Sequence, residues 1–359
     1  MNLACPKCSK ALSKNELDSM YKCNTCFASF QIYKVNGFEI IDFVSNDLDF
    51  TAGFSSADDM LNFNKLLSIF DKTDFYGLVK IYQTLSSHNN DFLTIKIPEP
   101  ESLSAYDLNH GKDSLGKAKS IAKKINKKIN FDGVALENGS GYGFFTYEFA
   151  KKFKELYVAD CSMCYLLLGI KFIAQNEKMS SEHDALIKKV SFLRCNIEKL
   201  PIQENSINFI HSNNAIEHVS NQQKYLEEMN RVVKEDFGLV YIVSPNRYSA
   251  LAEPHYGLRF FGLYPNFLAS FLIRNQSRPP IDDVIPLSLI SLRKKLKTIF
   301  QENFIILGVF KDLRIANQTR LKSFILHLNK LNFINYLLNN ILIHILPGHY
   351  VLASKKNCK

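Results

Sequence analysis

A chain of 359 residues that is 46% hydrophobic has enough apolar side chain for one large core with a smaller unit beside it. Its net charge of +9 permits an acidic or nucleic-acid partner. No uncharged apolar run reaches the ~18 residues of a spanning helix, and the opening MNLACPKCSK has no apolar stretch resembling a secretion signal. Eight cysteines, four of them paired at metal-ligand spacing, argue against a secreted disulfide framework and lead us to expect a cytoplasmic protein.

The chain opens with CPKC (Cys5, Cys8), fourteen intervening residues, then CNTC (Cys23, Cys26). Two such knuckles set four thiolates around one Zn²⁺, without which so short a segment could hardly fold. Phe27 to Val35, Asn36-Gly37 and Phe38 to Phe43 read as a hairpin with a tight turn, giving a zinc-ribbon unit over 1–43. No basic or aromatic stripe accompanies the knuckles, so the ribbon is expected to be structural. Residues 44–111 read as a helical connector, with helical patterning at Ser56–Asp71 and Phe75–Leu85, able to fold as a lid over the glycine-rich loop at 139–143. Lys112 to Asn130 predicts an amphipathic helix: Leu115, Ala118, Ile121, Ala122, Ile125 and Ile129 share one face, and seven lysines occupy the rest. A solvated helix packed on a sheet is favoured over an RNA-binding surface, because interleaved aromatics and arginines are missing.

Residues 133–150, GVALENGSGYGFFTYEFA, carry the most chemistry. A short apolar run ends in Glu137, followed by Gly139, Gly141 and Gly143 and then a helical pattern. Alternate glycines between a strand and a helix let the backbone turn tightly and a ligand approach closely. An acid at that turn would repel a phosphate. It favours a ligand bearing a positive or hydroxyl group, a description S-adenosylmethionine (SAM) fits. Strands and helices then alternate: Glu155–Asp160, Val190–Asn196, Ile207–His211 and Gly238–Ser244 as strands two to five, with Gln222–Val233 a helix. Asp160 ends strand two, where a carboxylate accepts from ribose hydroxyls. Further on, Ile285–Phe300 is a helix, Asn303–Phe310 strand six and Gly348–Lys356 strand seven, expected to be antiparallel.

Together ENGSGYG, Asp160, CNIEKLP (Cys195 to Pro201), NNAIEHV (Asn213 to Val219) and RVVKEDFGLVYIVSPN resemble the motifs of class I SAM-dependent methyltransferases, over roughly a third of the chain. The resemblance implies an α/β fold over 112–359: a Rossmann-like seven-stranded, mostly parallel sheet with helices on both faces and an antiparallel last strand. It also implies that Glu137, the three glycines, Asp160, Asn196, Ile197 and Asn213 bind SAM. Asn196 stands where the family carries an aspartate that contacts adenine, and Asp236-Phe237-Gly238 replaces the usual Pro-Gly-Gly.

Two acceptor-side insertions are expected, at about 245–300 and 317–346. The first begins PNRYSALAEPHYGLRFFGLYP and supplies candidate bases His255 and Glu253; His218, after strand four, is a third. Arg247 and Arg259 suit an anionic acceptor, whereas Tyr248 and Tyr256 suit packing. Cys161 and Cys164 form a third C-x2-C without further ligands and read as ordinary helix residues. The second insertion is apolar on more than one face, as in a buried helix, a cap over a greasy acceptor, or a lipid contact. The leading expectation is an O-methyltransferase for a small-molecule, glycan or lipid-linked acceptor, with peripheral membrane contact an option. The rivals are an rRNA or tRNA base methyltransferase that uses the ribbon to bind RNA, and a degenerate fold serving as a binding module.

Overall fold

The computed structural model describes residues 2–15, 19–44, 56–87, 100–176, 180–251, 256–273, 284–308 and 342–355. Five consecutive apolar-rich strands fold as the sequence pattern predicts: β5 (Val134–Asn138), β6 (Glu155–Asp160), β7 (Val190–Arg194), β8 (Phe209–Asn213) and β9 (Leu239–Pro245). They are buried along nearly their whole length, as strands covered on both faces must be. All pair in parallel, and β11 (Gly348–Ala353) inserts antiparallel between β9 and β10 (Phe304–Gly308). The order β7-β6-β5-β8-β9-β11-β10 reverses direction between β5 and β8. That switch point opens a crevice at the carboxyl ends of the strands.

The ribbon does not stand apart. β1 (Ser13–Asn15), β2 (Met20–Lys22), β3 (Ser29–Val35) and β4 (Phe38–Asp42) form an antiparallel meander, and β4 pairs in parallel with β7. The result is one eleven-stranded sheet among the described residues. Asn36 and Gly37, both at positive φ, make the β3–β4 turn. Leu3 bridges to Ile202, and Ala4 N–H donates to the Pro201 carbonyl at 3.0 Å. Cys5, Cys23, Phe30 and Phe43 share a core with Tyr157 of β6 and Leu193 of β7.

Two helical layers enclose the sheet. On one face lie α1 (Ser56–Ser68), α2 (Phe75–Ser87), α3 (Pro100–Lys124), α4 (Thr146–Lys152) and α5 (Met163–Asn176), followed by α6 (Ser180–Ile187). On the other lie α7 (Gln222–Val232) and α9 (Leu289–Phe300), with α8 (Asn266–Ile273) on a small satellite core. α3 starts twelve residues earlier than its apolar stripe predicts and stops at Lys124, where Asn126 at positive φ ends the helix. Leu115, Ala118, Ile121 and Ala122 are its buried stripe. Three of its lysine series are engaged within the chain: Lys117 over the Tyr350 ring, Lys119 over Phe131, and Lys127 donating to Ser354 Oγ at 2.7 Å.

The amino-terminal helices pack on α5 and the glycine loop. Phe75 lies against Phe144 and Phe172, and Tyr82 against Tyr165. Most of the expected insertion at 317–346 lies outside the described residues. The part that is described, from Leu342 on, is tied to the end of β9: the fully buried Asn246 donates from Nδ2 to the carbonyls of His344 and Leu346, both at 2.8 Å. No helix among the described residues is long and apolar enough to cross a membrane.

Candidate functional site

The three glycines of the β5–α4 loop all adopt positive φ, at +81° for Gly139, +50° for Gly141 and +78° for Gly143. Their surroundings differ. A Cβ on Gly143 would lie 2.5 Å from the Gly169 Cα of α5, and one on Gly139 would lie 2.6 Å from the Ala215 Cβ beyond β8. These two glycines let the loop press against a helix and against the opposite wall of the crevice. A Cβ on Gly141 would meet nothing within 4 Å, so this residue faces open space. Its N–H instead donates to Asp160 Oδ2 at 3.0 Å.

Asp160 ends β6 and is buried. Its Oδ1 accepts from the Ser162 N–H at 3.0 Å. Burial pushes its carboxyl up to about 6 while the two backbone N–H groups pull it down. The weak Cys161 thiol is a third donor to the carboxylate, and displacing it leaves each oxygen a lone pair, the requirement for holding a pair of vicinal hydroxyls.

Glu137 lies beneath the glycine loop, and its Oε2 accepts from Thr146 Oγ1 at 2.5 Å. Burial pushes this carboxyl up to about 8, with further repulsion from Asp160, so it is mostly protonated at neutral pH. Its Oε1 has no protein partner; neither do both polar side-chain atoms of Asn138, nor Ser140 Oγ. Such atoms are nearly always satisfied in folded proteins, so a cluster at one glycine loop fits a polar ligand seated there. The Asn138 carbonyl is held by Tyr225 O–H at 3.2 Å.

On the adenine side expected from the sequence, Asn196 is half-buried. Its Oδ1 accepts from the Glu198 N–H at 2.8 Å, closing a tight turn beside the half-buried Ile197. Asn213 is the half-buried last residue of β8, and His218 sits half-buried in the turn after it. Ile285 N–H donates to the Glu217 carbonyl at 2.8 Å, so the insertion after β9 returns beside His218. His255 and Glu253 lie outside the described residues. Tyr256 packs, as its sequence context suggests: its buried hydroxyl donates to the Val284 carbonyl at 2.8 Å. Cys164 is buried in α5.

The four ribbon cysteines converge. Their sulfurs all lie within 4.8 Å of one another, with Cys5–Cys26 at 3.5 Å and Cys8–Cys23 at 3.4 Å. Zn–S bonds of ~2.3 Å in a tetrahedron need sulfurs roughly 3.8 Å apart, so the set fits zinc. Backbone N–H groups of Cys26 and Thr25 draw the Cys23 thiol down to about 6, while burial pushes its neighbour Cys5 up to about 12, so the four would become thiolates together only around a cation.

Sequence reasoning missed the group behind Asp160. Arg194, fully buried at the end of β7, donates to Asp42 Oδ2 at 3.1 Å and Asp59 Oδ2 at 3.3 Å, and to Ser56 Oγ at 2.8 Å. Asp59 also accepts from Ser162 Oγ at 2.6 Å and the Met163 N–H at 2.7 Å, capping α5 immediately after Asp160. Nothing in the spacing of Asp42, Asp59 and Arg194 announces the cluster. The arginine at the end of an otherwise apolar strand was its one visible sign.

Residues 136–242 match a family model described as a methyltransferase domain. No curated protein is found similar in sequence. Among solved structures, the chain is similar to the YcgJ protein of Bacillus subtilis (19% identity, 68% of this chain and 100% of that one, TM-score 0.40). It is also similar to a putative methyltransferase of Bacillus halodurans (17%, 68% and 99%, TM-score 0.41) and to a possible histamine N-methyltransferase of Thermotoga maritima (16%, 72% and 95%, TM-score 0.40).

Proposed function

We propose that this chain, which carries a class I SAM-dependent methyltransferase domain on the seven-stranded part of its sheet, methylates an oxygen of a small-molecule, glycan or lipid-linked acceptor. The division into ribbon (1–43), lid (44–111) and catalytic unit (112–359) is part of the same reading. The observation that carries it is the pairing of Gly141, open to the crevice, with the buried Asp160 at the next strand end. Bound there, SAM supplies a methyl group on a sulfonium that leaves as a neutral thioether.

The chain's own work is to hold and align. In this reading Asp160 accepts from both ribose hydroxyls, while Asn196 and Ile197 flank the adenine. Gly139 and Gly143 lock the loop, and Asn138, Ser140 and Glu137 meet the polar methionine end. Alignment of the acceptor oxygen within ~3–3.5 Å of the methyl carbon supplies most of the acceleration such a site can offer. His218, at the mouth between β8 and the returning insertion, is the described candidate for taking the hydroxyl proton; His255 and Glu253 are the others.

Engagement of Lys117, Lys119 and Lys127 within the chain supports a non-nucleic-acid acceptor, because those charges already serve the packing of α3. Calorimetric titration of SAM into the full chain tests the reading. We expect one site, weakened at least about 30-fold by Asp160→Ala through loss of charge-assisted hydrogen bonds. Absence of binding at high micromolar SAM would leave the degenerate-module reading instead.

A further inference from the structure

Asp160 is presented to the crevice by a turn that a distant segment holds in place. The Ser162 N–H and the Gly141 N–H, each at 3.0 Å, aim its two carboxylate oxygens. Ser162 is fully buried and opens α5, whose first N–H groups need acceptors from outside the helix. Its Oγ takes the Tyr165 N–H at 3.2 Å, and its carbonyl takes the Leu166 N–H at 3.2 Å. The remaining work falls to Asp59, 103 residues before Ser162 in the chain. Asp59 Oδ1 accepts from Ser162 Oγ at 2.6 Å and Oδ2 from the Met163 N–H at 2.7 Å.

Asp59 lies in the first turn of α1 and is 5% exposed. The segment that carries it is fastened along α5 at two further points. Lys171 Nζ donates to the Phe70 carbonyl at 2.6 Å, and Gln175 Oε1 accepts from the Phe75 N–H at 2.6 Å. The Asp59 carboxylate therefore acts from a frame independent of the turn it holds.

A helix cap alone does not call for this acid, because Ser162 already fills the cap position of α5. Asp59 also carries an electrostatic cost, since its charge pushes the Asp160 carboxyl up. What it supplies is two acceptors at once. Oδ1 faces Ser162, while Oδ2 faces Met163 and, at 3.3 Å, the Arg194 guanidinium. An asparagine would turn its NH2 group toward one of these donors.

We propose that Asp59 is a positioning residue for Asp160: through Ser162 it fixes the turn whose N–H aims that carboxylate at the SAM ribose. Docking of α1 and the grip on the cofactor are thereby coupled, and α1 belongs to the cofactor site although it touches no cofactor atom. The inference rests on the cofactor reading above and deepens it.

Calorimetric titration up to millimolar SAM, on the full chain and a cycle of variants, tests the proposal without any activity measurement. Asp59→Asn is expected to weaken SAM about five- to tenfold, the worth of one well-made hydrogen bond. In an Asp160→Ala background the same change should cost less than about twofold, because no carboxylate remains to be aimed. General loosening of the fold would cost the same in both backgrounds. Ser162→Ala cuts the same link without altering the Arg194 cluster and should give the same pair of results, which decides the matter if circular dichroism shows Asp59→Asn unfolded. Absence of SAM binding by the wild type would overturn the cofactor reading and this inference with it. Wild-type binding that both variants leave within about twofold, or that they weaken equally in both backgrounds, overturns this proposal alone.

Discussion

Replacing Arg194 with methionine isolates the contribution of the cluster behind Asp160. The guanidinium is fully buried and bridges Asp42 on the ribbon hairpin to Asp59 on α1. Removing one partner of a buried ion pair typically costs about 3–5 kcal/mol, because the remaining charge is stranded. Here the stranding is partial. Asp59 keeps Ser162 Oγ and the Met163 N–H, and Asp42 keeps the Val44 N–H at 2.9 Å. The lower end, about 3 kcal/mol, is therefore expected, a large share of the ~5–15 kcal/mol that holds a domain folded. Urea titration followed by far-ultraviolet circular dichroism reads the loss, since the chain has no tryptophan to report by fluorescence.

Two signatures separate this account from mere loss of side-chain volume. Asp42→Asn/Asp59→Asn/Arg194→Met removes both stranded charges and should recover half the loss or more. Burial already pushes the Asp42 carboxyl up while Arg194 holds it down, so without the arginine the folded state takes up protons more readily. The deficit of the single variant should accordingly shrink as the pH falls toward 4. A loss under about 1 kcal/mol, or a triple variant no better than the single one, would refute the reasoning.

Glu137, held near 8 by burial, should give up its proton when a cationic ligand arrives, so SAM binding at pH 7.5 is expected to release a proton. Calorimetry in buffers of different ionisation enthalpy measures that release, which Glu137→Gln should abolish. The same raised value means that wild-type stability falls as the pH rises from about 4.5 to 8, by at most ~1.4 kcal/mol per unit for this group; Asp160 adds a slope of the same sign up to about pH 6, so urea titrations of the Gln variant should lose the slope between about pH 6 and 8. Gly143→Ala drives a Cβ into the Gly169 backbone and should cost about 2–4 kcal/mol, whereas Gly141→Ala carries only the ~1 kcal/mol of a left-handed residue and should act chiefly on SAM affinity. The purified chain should contain one zinc by elemental analysis. Cys23→Ser should lose it and lower the melting temperature of the whole sheet, since Cys5 and Cys23 share the core with Tyr157 and Leu193.

The parallel strands were legible because each is a short apolar run bounded by turn residues. β6 ends at Asp160 as predicted, and the Asn36-Gly37 turn stands where the hairpin pattern puts it. β8 is shifted by two residues because Ile207, apolar enough to read as strand, bridges to Val233 instead. The start of α3 was hidden because residues 100–111 carry no apolar stripe. The glycines were legible as a set, but their division of labour was not: only the fold brings Gly169 under Gly143 and leaves Gly141 open. Asp59 and Arg194 lie 135 residues apart, and no local pattern encodes a contact between them.

The joining of ribbon and parallel sheet gives the four-cysteine knuckle ahead of this domain a physical role. β4 extends the sheet beyond β7, the strand whose carboxyl end carries Asn196 and Ile197. The amino terminus reaches across to the same loop: Leu3 bridges Ile202, and the Tyr157 hydroxyl oxygen accepts from Asn2 N–H at 2.9 Å. A short knuckle cannot hold that path by hydrophobic burial alone, because the segment from Leu3 to Leu12 offers little side chain to bury. An ion held by the four thiolates would supply the missing free energy locally. On the cofactor reading proposed above, such a clip would act at a distance from the chemistry, on the loop that carries Asn196 and Ile197, while Asp42, from the same hairpin, reaches Arg194 and through it the cap of α5 at Asp160. Ribbon, α1 and Asp160 are thus three ends of one buried polar connection.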